Sequence, residues 1–207
     1  MNLEKFLKDV VQHLEKENIQ FALAGGLVAS LYRAEKRLTN DLDFLLFSKA
    51  HTQAQAEKII KHFKLTPHAI TKAQLEGGPM FAIKRKSTPT FMIVGRGEEK
   101  DDQIGLDFIL PTMPWFAKAM LRAKLNCIDF GFAKIPCLTV EDVIIAKIYA
   151  AQNPVRFKDL DDLQSIFAAQ HALDLDYLVG ELKKYDLTLS QALQSILPMP
   201  LRLALKG

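Results

Sequence analysis

The run Leu38-Thr39-Asn40-Asp41-Leu42-Asp43-Phe44-Leu45-Leu46-Phe47 constrains this chain more than any other, because it sets two carboxylates two residues apart in an otherwise apolar stretch. Successive side chains of a β-strand point to opposite faces, so Asp41 and Asp43 project side by side while Leu42 and Phe44 face the other way. Two unpaired carboxylates on a half-buried strand repel each other and are costly to desolvate. They must be raised in pKa, paired with cations or bound to metal, and a divalent cation meets that need best.

The patterning around this strand is that of a mixed α/β half. Phe6, Val10, Val11 and Leu14 recur at helical spacing over residues 3–16, and Ile19 to Ala24 reads as a buried strand. Gly25-Gly26 follows at once and Leu27 to Tyr32 resumes a helical pattern. The glycine pair therefore falls at a strand-to-helix turn, where backbone can come close to a ligand. Next come a helix over 51–63, short strands at Met80 to Arg85 and Thr90 to Val94, and a strand from Gln103 to Leu110 that carries a third acid, Asp107. Pro111 closes that strand, a helix covers Trp115 to Ala123, and Cys127 to Phe130 with Lys134 to Cys137 form a small hairpin about Gly131.

Beyond Pro136 the chain reads as helical. Thr139-Val140-Glu141-Asp142 has the form of a capping box ahead of a helix from Val143 to Ala151, and Pro154 precedes another from about Lys158 to Ala169. Further helices are expected over Tyr177 to Lys184 and after Thr188, where Gln191 completes a second capping pattern and Pro198 and Pro200 mark the end. The expected fold class is α/β (α+β), with a mixed sheet and helices over residues 1–137 and a helical domain over 138–207 packed on it.

Hydrophobic residues at 49% and charged residues at 25% exclude a disordered chain. No apolar run reaches the roughly 18 residues of a membrane span, and no basic segment followed by an apolar stretch opens the sequence, so the cytoplasm is the expected location. The net charge of +3 is too small to demand a nucleic-acid partner by itself. Cys127 and Cys137 lack metal-ligand spacing and suit reduced thiols. His13, His51, His62, His68 and His171 are scattered, which speaks against a histidine-rich phosphoesterase centre.

Gly25-Gly26 at a strand-to-helix turn, with fourteen residues between Gly26 and Asp41-x-Asp43 and with Asp107 on a later strand, resembles the nucleotidyltransferase fold. Gly25-Gly26-Leu27-Val28-Ala29 and Arg37-x-Thr39-x-Asp41-Leu42-Asp43-Phe44 look most like its AbiEii branch of toxin-type nucleotidyltransferases. Lys147, Arg156 and Lys158-Asp159-Leu160-x-Asp162-Leu163 are similar to that branch's lysine and basic-Asp-x-x-Asp motifs. The resemblance spans roughly residues 20–165 and says little about the last forty.

The resemblance implies an NTP substrate and a metal site of two Mg²⁺ ions, with Mn²⁺ as a substitute, held by Asp41, Asp43 and Asp107. Carboxylates suit such ions, and two metals roughly 3.5–4 Å apart can clamp the attacking and leaving oxygens. Asp107 would also accept the proton of the attacking hydroxyl. Gly25 and Gly26 would bring backbone amides to the phosphates at a helix N-terminus. Thr39, Arg37, Lys147 and Arg156, with Arg33, are the further nucleotide-binding candidates. Gly26 stands where many relatives carry serine, and Ser30 is the candidate substitute for the missing hydroxyl. The acceptor would be an RNA (tRNA among them), a protein or a small molecule, and an antitoxin is the expected partner. The alternative is a catalytically silent nucleotide-binding or interaction module of a toxin–antitoxin system.

Each piece also has a structural explanation. Gly-Gly makes a tight turn, Asp-x-Asp and Asp107 can pair with basic side chains, and Lys147 can reach past its apolar helix to solvent. Asp159 and Asp162 near a helix start fit the dipole. Glu98, Glu99, Asp101 and Asp102 compete with Asp107 as third carboxylate, and Asp107 is preferred because a strand positions a ligand better than a loop.

Overall fold

In the computed structural model the described residues are 2–49, 51–75, 89–97, 104–152, 156–185, 187 and 189–206. Helix α1 (Leu3–Lys16) buries Phe6, Leu7, Val10, Val11 and Leu14 on one face, and Asn2 caps it by accepting from the Glu4 amide. Strand β1 (Gln20–Ala24) runs directly into α2 (Gly25–Tyr32). Strand β2 (Asp41–Phe47), α3 (Thr52–His62), β3 (Thr66–Thr71), the short α4 (Lys72–Leu75), β4 (Thr90–Arg96) and β5 (Gly105–Ile109) complete the sheet half.

The five strands form one mixed sheet in the order β1-β2-β5-β4-β3, in which only the central β2–β5 pair is parallel. Period-two alternation divides its faces. Leu42, Phe44, Leu46, Leu106, Phe108 and Ile93 are buried on one side, where the Phe44 and Phe108 rings lie 6.1 Å apart. The opposite side carries Asp41, Asp43, Asp107, Met92, Val94 and Arg96. The strand β3 gave little sequence signal, because Thr66-Pro67-His68-Ala69-Ile70-Thr71 is short of apolar residues and, among the described residues, pairs only with β4. The expected strand at Met80 to Arg85 lies outside the described residues.

Helix α5 (Phe116–Ala123) leads to the hairpin β6 (Cys127–Asp129) and β7 (Lys134–Pro136). The helical part follows as α6 (Val140–Ala150), α7 (Phe157–Ala168), α8 (Leu175–Leu182), α9 (Gln191–Ile196) and α10 (Met199–Lys206). Thr139 caps α6 by accepting from the Asp142 amide, and Ser190 caps α9 by accepting from Leu193. The second capping pattern expected from Thr188 and Gln191 is thus corrected, since Ser190 caps the helix and Thr188 lies outside the described residues. The prolines end α9, and the chain resumes as α10 with Pro200 near its start, where a missing amide costs no helical bond.

One continuous apolar cluster joins the sheet to the helices, from Leu23 and Phe44 through Val143 and Ile144 to Leu193 and Leu201. Where the two parts meet, the Leu138 amide donates to the Leu23 carbonyl at 3.0 Å. Cys127 and Cys137 are both free thiols. Among the described residues no helix is long and apolar enough to cross a membrane.

Candidate active site

The site is built at the join of β1 and α2, where the chain turns against the acidic strand. Gly25 has φ +62°, and a Cβ there would stand 1.8 Å from Asp43 Oδ2, so both the backbone angle and the carboxylate require glycine. The Gly26 amide, at the first turn of α2, donates to Asp43 Oδ2 at 3.4 Å. Thr39 packs against Gly26, and its hydroxyl accepts from the Asp41 amide at 3.3 Å, which fixes the entry into β2.

Parallel pairing of β2 with β5 sets Asp43 directly opposite Asp107 and Asp41 opposite Gly105. Side chains in register on one face are near neighbours, so three carboxylates converge at the rim of the sheet. Burial, then the like charge of Asp107, pushes the Asp43 carboxyl up to about 7. Burial also raises Asp107, although the Arg96 guanidinium pulls it partway back. Arg96 grips Asp107 with both terminal nitrogens, Nη2 to Oδ2 at 2.9 Å, and the same Nη2 lies 3.9 Å from Asp41 Oδ1.

A cavity of about 610 Å³ opens over this rim, between the sheet and helices α6 and α7. Its lining brings together Gly25, Gly26, Arg37, Thr39, Asp41, Asp43, Asp107, Lys147 and Arg156 from the sequence-based candidates. Ser30 is not brought there, since its hydroxyl is buried and donates to the Arg37 carbonyl at 2.9 Å. Met92, Ile109, Met113, Trp115, Val143 and Tyr149 give the cavity a largely apolar wall. None of the five histidines lines it.

Arg37, Lys147, Arg156 and Asp159 bring a second charged cluster, with the reverse balance, to the same cavity. Asp162, fully buried on α7, accepts from Arg37 Nε at 2.6 Å and Nη2 at 2.8 Å, from Arg33 Nη1 at 2.7 Å, and from Lys147 Nζ at 2.7 Å. Against the cost of burial, Arg37 and Lys147 hold Asp162 well below the usual carboxylate range. Lys147 Nζ also reaches Asp159 Oδ1 at 2.7 Å, and Arg33 reaches Asp161 at 2.8 Å. Burial opposes its charge, but Asp159 and Asp162 raise the Lys147 ammonium above its ordinary value. Lys147 is therefore buried among carboxylates rather than extended to solvent. Asp159 and Asp162 act as ion-pair acceptors for other elements more than as partners of their own helix dipole. Arg156 Nε lies 3.2 Å from Asp159 Oδ2, close enough for charge attraction but outside hydrogen-bond alignment.

A family model for the nucleotidyl transferase AbiEii toxin of a type IV toxin–antitoxin system matches residues 7–205. The chain belongs to the AbiEii nucleotidyl transferase family. The solution structure of the antibiotic-resistance factor ANT(2'')-Ia matches at 14% identity and TM-score 0.51, covering 87% of this chain and 89% of that one. The crystal structure of ANT(2'')-Ia in complex with adenylyl-2''-tobramycin matches at 14% identity and TM-score 0.55, covering 87% and 97%. These two likenesses show that the AbiEii chain has a nucleotidyltransferase fold. No curated protein matches it.

Arg96 and Gly105, both at the acidic rim, are absent from the sequence-based candidates. Arg96 follows Met92 and Val94 at period two, so continuing the β4 alternation by one step reveals it. Gly105 faces Asp41, and a Cβ there would stand 2.2 Å from Asp41 Oδ1, a close approach that only the pairing register discloses. The rival acids Glu98, Glu99, Asp101 and Asp102 lie outside the described residues.

The three rim carboxylates fit a hard divalent cation by charge and donor type, because a half-buried Asp43 beside the buried Asp107 is a site that bound positive charge relieves. As they stand, with Arg96 on Asp107, no three acidic, histidine or cysteine side chains among the described residues are arranged as a metal-binding group.

Proposed function

We propose that this chain moves a nucleoside monophosphate from an NTP to an acceptor hydroxyl with release of pyrophosphate, dependent on Mg²⁺ or Mn²⁺. The observation that carries the reading is the register of Asp43 against Asp107 beneath the Gly25–Gly26 turn, at the mouth of a cavity with a basic side and an apolar wall. Asp41, Asp43 and Asp107 would hold the cations, two in the full site, which supply charge neutralisation at the phosphates and at the attacking and leaving oxygens. Asp107 takes the proton of the acceptor hydroxyl. The amides at the start of α2 receive the phosphates, where the helix dipole favours negative charge. Thr39 shapes the turn, while Arg37, Lys147 and Arg156 line the basic side that faces the triphosphate. The apolar wall at Met92, Ile109 and Trp115 suits the nucleobase.

The complex of ANT(2'')-Ia with adenylyl-2''-tobramycin makes a small molecule one class of acceptor, and RNA and protein are the others in a toxin-type family. Membership of a type IV toxin–antitoxin family supports an antitoxin partner, and the reading assigns the pair to the cytoplasm. A silent nucleotide-binding module is the second reading, favoured by the hold of Arg96 on Asp107. The test incubates protein with Mg²⁺, each α-labelled NTP, and tRNA, lysate protein or aminoglycoside as acceptor. Label on one acceptor with wild type and none with Asp41→Ala/Asp43→Ala supports transfer. Metal-dependent NTP binding with no label on any acceptor supports the silent module.

A further inference from the structure

Arg96 is the described cation in direct contact with the acidic rim, and its seat is purpose-built. The guanidinium lies across Asp107, with Nη2 to Oδ2 at 2.9 Å, extends to 3.9 Å from Asp41 Oδ1, and donates from Nη1 to the Gly95 carbonyl at 2.9 Å. Gly105 makes room for it, since a Cβ there would stand 2.7 Å from Arg96 Nη1 and 2.2 Å from Asp41 Oδ1. The Gly105 backbone lies outside the left-handed region, so glycine serves space at this position rather than chain conformation. The arginine is not locked in, because its side chain is 44% exposed on the last residue of β4.

We propose that Arg96 is an internal counter-ion that competes with the divalent cation for the acidic rim. Its guanidinium satisfies Asp107 and screens Asp41. Arrival of cation and triphosphate together moves it off Asp107 and onto phosphate oxygens, to which its planar fork is equally suited. With both oxygens held by Arg96, Asp107 keeps only its outward lone pairs for a metal, and the guanidinium charge repels a cation there. The site therefore takes up metal weakly by itself and strongly with nucleotide, and Arg96 couples the two. The inference rests on the cation-dependent reading proposed above.

The test is Mn²⁺ binding to the full chain, read from the electron paramagnetic resonance of free Mn²⁺, with and without a non-hydrolysable NTP analogue. Removing one positive charge beside the site predicts that Arg96→Gln binds Mn²⁺ without nucleotide at least about tenfold tighter than wild type. The further gain on adding the analogue shrinks in the variant. Arg96→Lys keeps the charge without the fork and falls between the two, which keeps the test open if Arg96→Gln does not fold. Asp43→Asn removes Mn²⁺ binding in either background. Binding by Arg96→Gln that is no tighter than wild type, with Asp43→Asn still abolishing it, overturns the role of Arg96 and leaves the cation site standing. Binding that Asp43→Asn leaves unchanged overturns the cation site and this role with it.

Discussion

Two groups of carboxylates, one on the sheet rim and one at Asp162 bonded to the Arg37 and Lys147 that line the cavity, differ in how their charge is met. At Asp162 the chain gathers Arg33, Arg37 and Lys147 around one buried carboxylate, which is driven below its ordinary range. At the sheet rim Arg96 holds Asp107 and lies near Asp41, the Lys147 charge acts on Asp43 without contact, and Asp43 is still driven up to about 7. The first cluster is complete within the chain and fastens the helical part to the loop between α2 and β2, where the Ala34 amide also donates to the Ser165 carbonyl of α7. The second is short of positive charge and open to the cavity. Two acid-rich motifs of similar composition thus have different work, and the supply of cations from neighbouring elements separates them.

Substitution separates the two clusters most strongly. Asp43→Asn is expected to lower nucleotidyl transfer at least about 10⁴-fold, roughly 5.5 kcal/mol of barrier, while leaving unfolding free energy unchanged or slightly raised, because it removes a like charge. Asp162→Ala leaves Arg37 without a carboxylate and removes one of the two acidic partners of Arg33 and of Lys147, and is expected to cost about 3–5 kcal/mol of stability in denaturant unfolding. A loss of stability at Asp43 as large as that at Asp162 would erase the distinction. Gly25→Ala, forced into positive φ against Asp43, is expected to cost about 1–3 kcal/mol and to weaken Mn²⁺ binding in the same preparation.

The smallest effect is expected in the pH dependence of the metal-free protein, a few degrees of melting temperature with opposite sign at the two clusters. Asp43 binds its proton more tightly folded than unfolded, so its contribution to stability is lost as pH rises from about 4 to about 7. Asp162 is depressed, so its contribution is present above the unfolded carboxylate pKa and is lost as pH falls below it. Melting curves of Asp43→Asn should lack the decline toward neutrality, and added Mn²⁺ should cancel it in wild type.

Much of this layout is legible in local pattern. Asp41-x-Asp43 between apolar residues announces a strand with a charged face, and Gly25-Gly26 after an apolar run announces the turn that meets it. The boundaries of α1 follow from its amphipathic period and capping asparagine. What escapes local pattern depends on pairing between distant segments. Arg96 and Gly105 acquire meaning only when β4, β5 and β2 lie in register. Asp162 looks like a helix-start acid until α7 packs beside Arg33 and Arg37, more than 120 residues earlier in the chain. Ser30 has the chemistry of a phosphate ligand, but the helix turns it toward the Arg37 carbonyl.

The most direct test of the central claim, that the rim carboxylates are left short of charge in order to take a cation with the nucleotide, is a crystal structure with Mn²⁺ and a non-hydrolysable NTP analogue. An anomalous scattering peak is expected within about 2.0–2.3 Å of carboxylate oxygens of Asp41 and Asp43, with the triphosphate at the Gly25–Gly26 turn and Arg96 released from Asp107. A rim without a metal peak while the analogue binds elsewhere, or a peak beside Asp162, would contradict that claim.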